Sequence, residues 1–398
     1  MCSTWRRSWD DRGARAHPHR PGASNWFFHI AGSLVLSVVR GLLITEVLEP
    51  RLERLRVPRQ QSEDAEEGRG AVEDVTDLTI DDRARRGMRL ADLRCGPGRE
   101  RVARRVPMEF GGRMARVAVT GSSGKLGRVV VDHLLESGWD VVALDRVPSP
   151  RRDVVSTVVD LTDFGQAVEA LSGIDDRHDG VDALVHLAAV PAPGLVPNAA
   201  TFANNVTASY NVYSAALRAG VRTIVWASSE TVLGLPFDEP PPYLPVDEEY
   251  PPRPNSTYSL VKTLEEELAR QLCRWHPDLS MTGLRFSNVM LPEEYAAFPG
   301  FDADPQLRKW NLWSYIDARD GAQAVRRALE RHAVGADVFI IANADTVMSR
   351  PSRELAVEVF PGVPVTREVG EHETLLSIDK ARRLLGYEPA YSWRDATG

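Results

Sequence analysis

Two short stretches of the chain could do chemistry together. Residues 117–127 read VAVTGSSGKLG, and Tyr258 and Lys262 stand four apart in YSLVK. Four residues is one helical turn, so the phenol and the ammonium share a face. A phenol ordinarily ionises near ~10, which is poor for acid–base work at neutral pH. An ammonium beside it stabilises the phenolate and draws that value down. Lys262 is one of only four lysines, against 44 arginines. An ammonium kept where a guanidinium is the habit is informative, because the two differ in acidity and geometry. Upstream, TIVWASS ends in Ser228 and Ser229, and a serine hydroxyl there can orient a substrate carbonyl or alcohol oxygen.

The first stretch is an apolar run into Gly121, Gly124 and Gly127, followed by the helical pattern RVVVDHLLESG. A turn this tight needs residues without a Cβ, and backbone must come close to any bound pyrophosphate. A glycine triplet also occurs in ordinary loops. Here a strand precedes it, a helix follows, and VVALD ends a second strand in Asp145. This is the arrangement of a dinucleotide cradle, with Gly121, Ser122, Ser123, Gly124, Lys125, Leu126 and Gly127 around the phosphates. A carboxylate at Asp145 can accept both ribose hydroxyls of NAD and would repel a 2′-phosphate. Arg146 follows at once and could accommodate NADP, which stays the second choice of cofactor.

These groups need a frame. Strand-like runs ARVAVTG, DVVALD, VDALVHLA, RTIVWAS and MTGLRF alternate with helical stretches at 125–137, 163–172, 201–219 and 258–274. Continuous apolar strands joined by crossover helices predict an α/β fold, a doubly wound parallel sheet covered on both faces. VFIIAN at 338–343 adds a late strand, and PSREL at 351–355 reads as a capped helix start. The proline-rich run 239–256 delivers Tyr258 into the site.

The chain has 398 residues and a net charge of −8, which argues against nucleic acid or an anionic membrane as partner. Residues 1–113 differ from the rest: 21 arginines, 17 acids and no lysine. Within them only 30–48 is apolar, and Arg40 and Glu46 break it short of the ~20 clean residues of a membrane span. Residues 60–105 are rich in acids and arginine with few aromatics, a disorder signature. The expectation is an extension over 1–113, disordered or upstream of a true start at Met114. A nucleotide-binding domain then covers 114–285, and a smaller substrate-binding part, interleaved with it, covers 286–398. Cys2, Cys95 and Cys273 suggest neither a disulfide framework nor a metal site, as fits a reducing cytoplasm.

From residue 114 to about 395 the chain resembles the extended short-chain dehydrogenases/reductases, the NAD-dependent epimerase/dehydratase superfamily. The resemblance rests on TGSSGKLG, Asp145, VVDLTD, VHLAA at 185–189, NNV at 204–206, ASSETVLG at 227–234, Tyr258 with Lys262, LRFSNV at 284–289, SYIDARD at 314–320 and LLSIDKARRLLGYEP at 375–389. It implies a Rossmann-type core with a small C-terminal substrate-binding part. It implies Ser229, Tyr258 and Lys262 as the catalytic set. Asp160 and Leu161 would flank adenine, and Leu187, Ala188 and Ala189 would line the dinucleotide. Asn205 would help hold the active-site helix, Ser228 would lie by the cofactor, and Phe286 and Asn288 would lie near the nicotinamide. Homodimers through the helices bearing NNV and YxxxK are usual in the family.

Only 26 residues separate Asn288 from Tyr315. Nucleotide-sugar members use a longer insert there, and a phosphate-binding arginine commonly precedes the YI pair, where this chain has Trp313 and Ser314. Arg308, Lys309 and Arg319 are the remaining local cations. The segment suits a small substrate better than a diphosphate and is closer to uronate dehydrogenases. Glu230 and Thr231 stand beside the reacting oxygen, or Glu230 is a surface carboxylate. The reading is an NAD(P)-dependent oxidoreductase on a small sugar, sugar acid or hydroxy/keto compound. The alternatives are an epimerase or dehydratase that returns the hydride to the same molecule, and a non-catalytic dinucleotide sensor.

Overall fold

Seven parallel strands form the sheet: β1 (Arg116–Thr120), β2 (Asp140–Asp145), β3 (Val155–Val158), β4 (Ala183–His186), β5 (Thr223–Ser229), β6 (Ser280–Phe286) and β7 (Gly335–Ile341). Their spatial order is β3-β2-β1-β4-β5-β6-β7. The computed structural model describes residues 109–110, 113–174, 177–331 and 333–396. The expectations for the apolar stretch 30–48, the acid- and arginine-rich segment 60–105, Cys2 and Cys95 lie outside the described residues. The described part belongs to one compact unit, Arg105–Gly398. Strand pairs Glu109–Phe110 and Arg113–Met114 form a short antiparallel hairpin just before β1. No helix among the described residues is long and apolar enough to cross a membrane.

Alternation along each strand feeds two cores. Val117, Val119, Val141, Ala143, Val185 and Val225 face one side, while Ala118, Val142, Leu144, Leu184, Ile224 and Trp226 face the other. Both faces are apolar because helices cover both. On the first side lie α1 (Lys125–Glu136) and α5 (Ala318–Leu329), packed against each other. On the second lie α2 (Phe164–Ser172), α3 (Asn198–Arg218) and α4 (Thr257–Trp275). Gly283 sits within β6 because an added Cβ would lie 2.5 Å from Trp226 Cζ2 in the neighbouring strand. β7 comes from the C-terminal part, so residues 286–398 complete the sheet rather than stand beside it.

The late helix starts differently from the PSREL expectation. Helix α6 (Ser352–Val359) has Pro351 at its N-cap with no side-chain cap, and the Ser352 hydroxyl is buried without a partner. Proline's fixed φ suits entry to a helix, and it places the serine one position too far in to cap. Strand order reverses between β1 and β4, which go on to neighbours on opposite sides. In an open parallel sheet the crevice forms there, beyond the carboxyl ends of the strands. Gly121, Asp145, Leu187, Ser229 and Phe286 all stand at those ends.

Candidate active site

The glycine loop is built by close approach. Gly121 has φ +68°, and a Cβ there would lie 2.7 Å from the Ala188 nitrogen. A Cβ on Gly127 would lie 2.0 Å from the Gly121 oxygen. The Gly124 N–H donates to the Gly121 carbonyl at 3.0 Å, and Gly124 caps α1 with no side-chain hydrogen bond. Asp145 accepts the Ser123 N–H at 2.9 Å and the Val147 N–H at 3.1 Å, so the carboxylate shapes the loop itself. Ser122 is buried beside it. Lys125 donates to the Val289 carbonyl at 2.8 Å and pairs with Glu294 at 2.6 Å, tying the start of α1 to the segment after β6. Leu126 packs on the first core.

The residues expected on the adenine side lie along the edge by β2. Arg146 pairs with Asp160 at 2.7 Å, and Asp160 also takes the Thr162 hydroxyl at 2.7 Å. Both hold its carboxyl down at about 2. Leu161 is buried, and its carbonyl accepts the Asn211 amide at 3.1 Å. After β4, the Leu187 and Ala188 N–H groups donate to Thr120 Oγ1 at 3.2 and 3.3 Å, and Ala189 continues that turn. Asn205 spans the next residues: its amide accepts the Val190 N–H at 2.8 Å and donates to the Val190 carbonyl at 3.1 Å. It pins the loop after β4 to α3.

Tyr258, Lys262 and Ser229 come together where β5 ends against the first turns of α4. Ser256 caps α4 reciprocally with Ser259, which fixes where Tyr258 enters. The Lys262 ammonium lies 5.9 Å from the centre of the Tyr258 ring, and Ser229 stands close enough to favour the ionised phenol. Ser229 also accepts the Thr231 N–H at 3.2 Å and the Thr231 hydroxyl at 3.0 Å, capping the 3-10 turn Glu230–Leu233. Lys262 does lower the tyrosine, as expected, yet the net shift is upward. Burial is the largest influence and raises the phenol; Lys262 pulls it down, but Glu265 and Glu230 push it back up. The ammonium is shared. It donates to the Ala227 carbonyl at 2.8 Å and pairs with Glu265 at 2.9 Å, and both side chains are almost sealed from solvent.

Ser228 faces elsewhere. Its hydroxyl donates to Glu266 at 2.7 Å, and Glu266 forms a two-pronged buried pair with Arg285 at 2.9 and 2.8 Å. Asn288 directs its side chain to Met290 Sδ at 3.3 Å, and its carbonyl accepts the Ile316 N–H at 3.0 Å. Phe286 is buried at the end of β6.

Glu230 is not a surface carboxylate: it is 3% exposed. Ser287 donates to it at 2.6 Å and Asn311 at 3.3 Å. Burial lifts its carboxyl to about 7. Behind it Arg308 lies between the Phe301 and Trp310 rings, 5.2 and 5.1 Å from their centres. Its burial lowers it to about 10, and its Nε has no partner. Arg319 is engaged by both oxygens of Asp317 at 2.8 Å. Among the described residues no group of three or more His, Cys, Asp or Glu is placed to hold a metal ion.

The model of the NAD dependent epimerase/dehydratase family matches residues 117–342. An L-arabinose 1-dehydrogenase (NAD(P)(+)) of Haloferax volcanii is 28% identical over 284 residues, 69% of this chain and 96% of that protein. A UDP-glucose 4-epimerase of Azospirillum brasilense is 32% identical over 178 residues, 44% of this chain and 49% of that protein. Among solved structures, a short-chain dehydrogenase/reductase superfamily protein from Agrobacterium tumefaciens with bound NAD superposes with a TM-score of 0.54 at 25% identity, covering 71% of this chain and 94% of that one. A UDP-galactose 4-epimerase gives 0.51 at 25% identity, covering 71% and 95%. Sheet order, loop and family match agree: the chain belongs to the NAD dependent epimerase/dehydratase family.

Proposed function

We propose that this protein is an NAD-dependent oxidoreductase of a small sugar, sugar acid or hydroxy/keto compound, working through Ser229, Tyr258 and Lys262. The observation that carries the reading is the buried meeting of those three groups at the carboxyl end of β5, with the glycine loop at the neighbouring strand ends. The loop residues fit a dinucleotide. The first-turn N–H groups of α1 have no side-chain cap, and a helix N-terminus of that kind takes phosphate. The close approach at Gly121 and Gly127 leaves backbone where other residues would place side chains. A bound nicotinamide supplies or accepts the hydride.

The chain's own groups do the rest. Tyr258 gives a proton to, or takes one from, the substrate oxygen. Ser229 holds that oxygen by its hydroxyl. Lys262 is the positive charge beside the phenol and is placed to reach a ribose. Two of the three cations of the segment after β6 are engaged or buried, Arg308 between two rings and Arg319 on Asp317, which leaves Lys309; nearby, Lys125 of α1 is held by Glu294. That supports a substrate without a diphosphate. Asp145 supports NAD over NADP, since Arg146 is already paired with Asp160.

A second reading, an epimerase that returns the hydride to the same molecule, has the match to UDP-glucose 4-epimerases in its favour. NADH absorbance over a panel of sugars, sugar acids and ketones separates the two. Net NADH formation supports the dehydrogenase, and isomerised product without NADH supports the epimerase. The intact Tyr–Lys pair favours either over a sensor. We also read the protein as a cytoplasmic homodimer: α3 leaves Phe202 and Tyr210 exposed, and α4 leaves Leu260 and Leu264 exposed. Residues 114–285 would form the cofactor-binding domain and 286–398 the substrate-binding part, with 1–113 dispensable for both.

A further inference from the structure

Lys262 is the end of a buried chain of polar groups that starts at the glycine loop. Helical spacing puts Tyr258, Lys262, Glu265, Glu266 and Ala269 on the covered face of α4. Glu265 Oε2 takes the Lys262 ammonium at 2.9 Å, and Oε1 takes the Ser209 hydroxyl of α3 at 2.9 Å. Ser209 meets His186 Nε2 at 3.2 Å, and His186 Nδ1 meets the Thr120 hydroxyl at 2.8 Å. Thr120 ends β1, one residue before Gly121, and accepts the Leu187 and Ala188 N–H groups. All five side chains are buried.

The direction of every bond follows from one constraint. A carboxylate only accepts, so Ser209 spends its proton on Glu265 and must accept from His186 Nε2–H. Nδ1 is then the bare nitrogen, and the Thr120 hydroxyl donates to it. Thr120 oxygen is left to accept the two backbone N–H groups. The scheme needs a neutral imidazole, and burial with Lys262 nearby lowers His186 to about 3. Glu265 enters it as the ion-pair partner of the Lys262 ammonium, accepting on both oxygens. From Thr120 to Ser209 every side-chain proton is spent, the Lys262 ammonium alone keeps a third N–H beyond Ala227 and Glu265, and every member of the chain is buried. It is therefore a fixed scaffold rather than a proton exit.

We propose that Glu265 is a positioning residue: it holds the Lys262 ammonium against the Ala227 carbonyl and offsets its charge, so that Tyr258 rests as a protonated phenol. This rests on the Ser229–Tyr258–Lys262 reading above. The charged and titratable groups facing the pair are few. Glu265 and Glu266 come from α4 itself, and Glu266 is occupied by Arg285 of β6. Glu230 comes from the turn after β5, with Arg308 behind it, and His186 from β4. Tyr213 of α3 faces Glu265 and is itself held protonated by burial. Of these, Glu265 is the carboxylate bonded directly to the ammonium. A protonated phenol is ready to give its proton to a carbonyl oxygen. In alcohol oxidation the substrate's hydroxyl proton must go to the phenolate, so the rate should climb with pH until Tyr258 ionises.

The test is the pH profile of kcat/KM for alcohol oxidation, in wild type, Glu265→Gln and Glu265→Asp, with NAD affinity and thermal melting followed alongside. Removing the carboxylate should move the rising limb to lower pH by about one unit or more, the scale of a charge at contact. Glu265→Asp should return it toward the wild-type position. An unmoved limb in a folded, NAD-binding Glu265→Gln protein overturns the proposal. Where that variant does not fold, tyrosinate absorbance decides, as the difference between wild type and Tyr258→Phe without cofactor. No Tyr258 ionisation up to pH 9 supports the proposal, and ionisation near neutrality overturns it. A Tyr258→Phe protein with normal turnover sinks the catalytic reading instead. An inactive Tyr258→Phe with an unmoved Glu265→Gln limb sinks only this one.

Discussion

Arg285 and Glu266 meet prong to prong at 2.9 and 2.8 Å, one from the strand paired with Ser228 and the other from the helix that takes the Ser228 hydroxyl, with both side chains sealed from water. Such a pair gains little over apolar residues, because both charges give up their hydration. Losing one partner is another matter. Glu266→Ala leaves a buried guanidinium, and Arg285 Nη1 already lacks a partner. The expected loss is about 3–5 kcal/mol in urea unfolding. The double variant Glu266→Leu with Arg285→Met should recover most of it. A loss below about 1 kcal/mol for Glu266→Ala would mean water reaches the pair.

Asp145 is asked to do two things, and they can be separated. It accepts the Ser123 and Val147 N–H groups, which holds the loop, and it presents negative charge where a ribose would lie. NAD should bind more tightly than NADP, measured by protein fluorescence. Asp145→Asn keeps one acceptor and removes the charge, so the NAD/NADP preference should fall by about tenfold, roughly 1.4 kcal/mol. Gly127→Ala should weaken both cofactors together, because its Cβ would lie 2.0 Å from the Gly121 oxygen. Clear preference of the wild type for NADP would remove the role given to Asp145.

What could be read from the residues was what is local. Glycine spacing, a strand-end carboxylate and a phenol one turn from an ammonium are each set within a few positions. The frame followed because strands and helices alternate at regular intervals. The scaffold behind Lys262 was not visible in this way. Thr120, His186, Ser209 and Glu265 come from two strands and two helices, and become neighbours only when α3 packs on α4. One signal was there: Glu265 and Glu266 fall on the apolar face that carries Val261, Ala269 and Cys273. Charged residues on a covered face need partners. The two serines of β5 divide for a similar reason. Alternation sends Ser228 toward Glu266 and Ser229 toward Tyr258, which the dipeptide alone leaves open.

Glu230 should make the protein less stable as pH rises toward neutrality. Its folded value is about 7 against an ordinary 4.5. Between those values the folded state keeps a proton that the unfolded chain has released. Stability is therefore full below about 4.5, falls as pH rises through the window, and levels off above about 7, for a total of roughly 3 kcal/mol. Glu230→Gln cannot ionise and lacks this component. Urea unfolding of both proteins at pH 5 and pH 7.5 isolates it: the variant should gain on wild type by roughly 2–3 kcal/mol at the higher pH. A difference that does not change with pH would show that Glu230 is already ionised at pH 5.

The three candidate catalytic groups should fail in different ways. Tyr258→Phe removes one hydroxyl and leaves the ring, so NAD affinity should stay within a few-fold. Turnover should fall by about 10²–10⁴, the usual worth of a positioned proton donor. Lys262→Met should damage cofactor binding and turnover together, and melting too. It strands Glu265 as an unpaired buried carboxylate, whereas the phenol of Tyr258 anchors no ion pair. Ser229→Ala should cost turnover less than Tyr258→Phe, because it orients an oxygen and does not receive the proton. Its hydroxyl also caps the Glu230–Leu233 turn, so a melting decrease of about 1 kcal/mol in stability should accompany it. The ordering is what matters: turnover loss without affinity loss at Tyr258, both at Lys262, a milder turnover loss with a small stability loss at Ser229. Near wild-type turnover in Tyr258→Phe would mean that another group moves the proton. Glu230, buried beside the phenol and titrating near neutrality, would then be the first to examine.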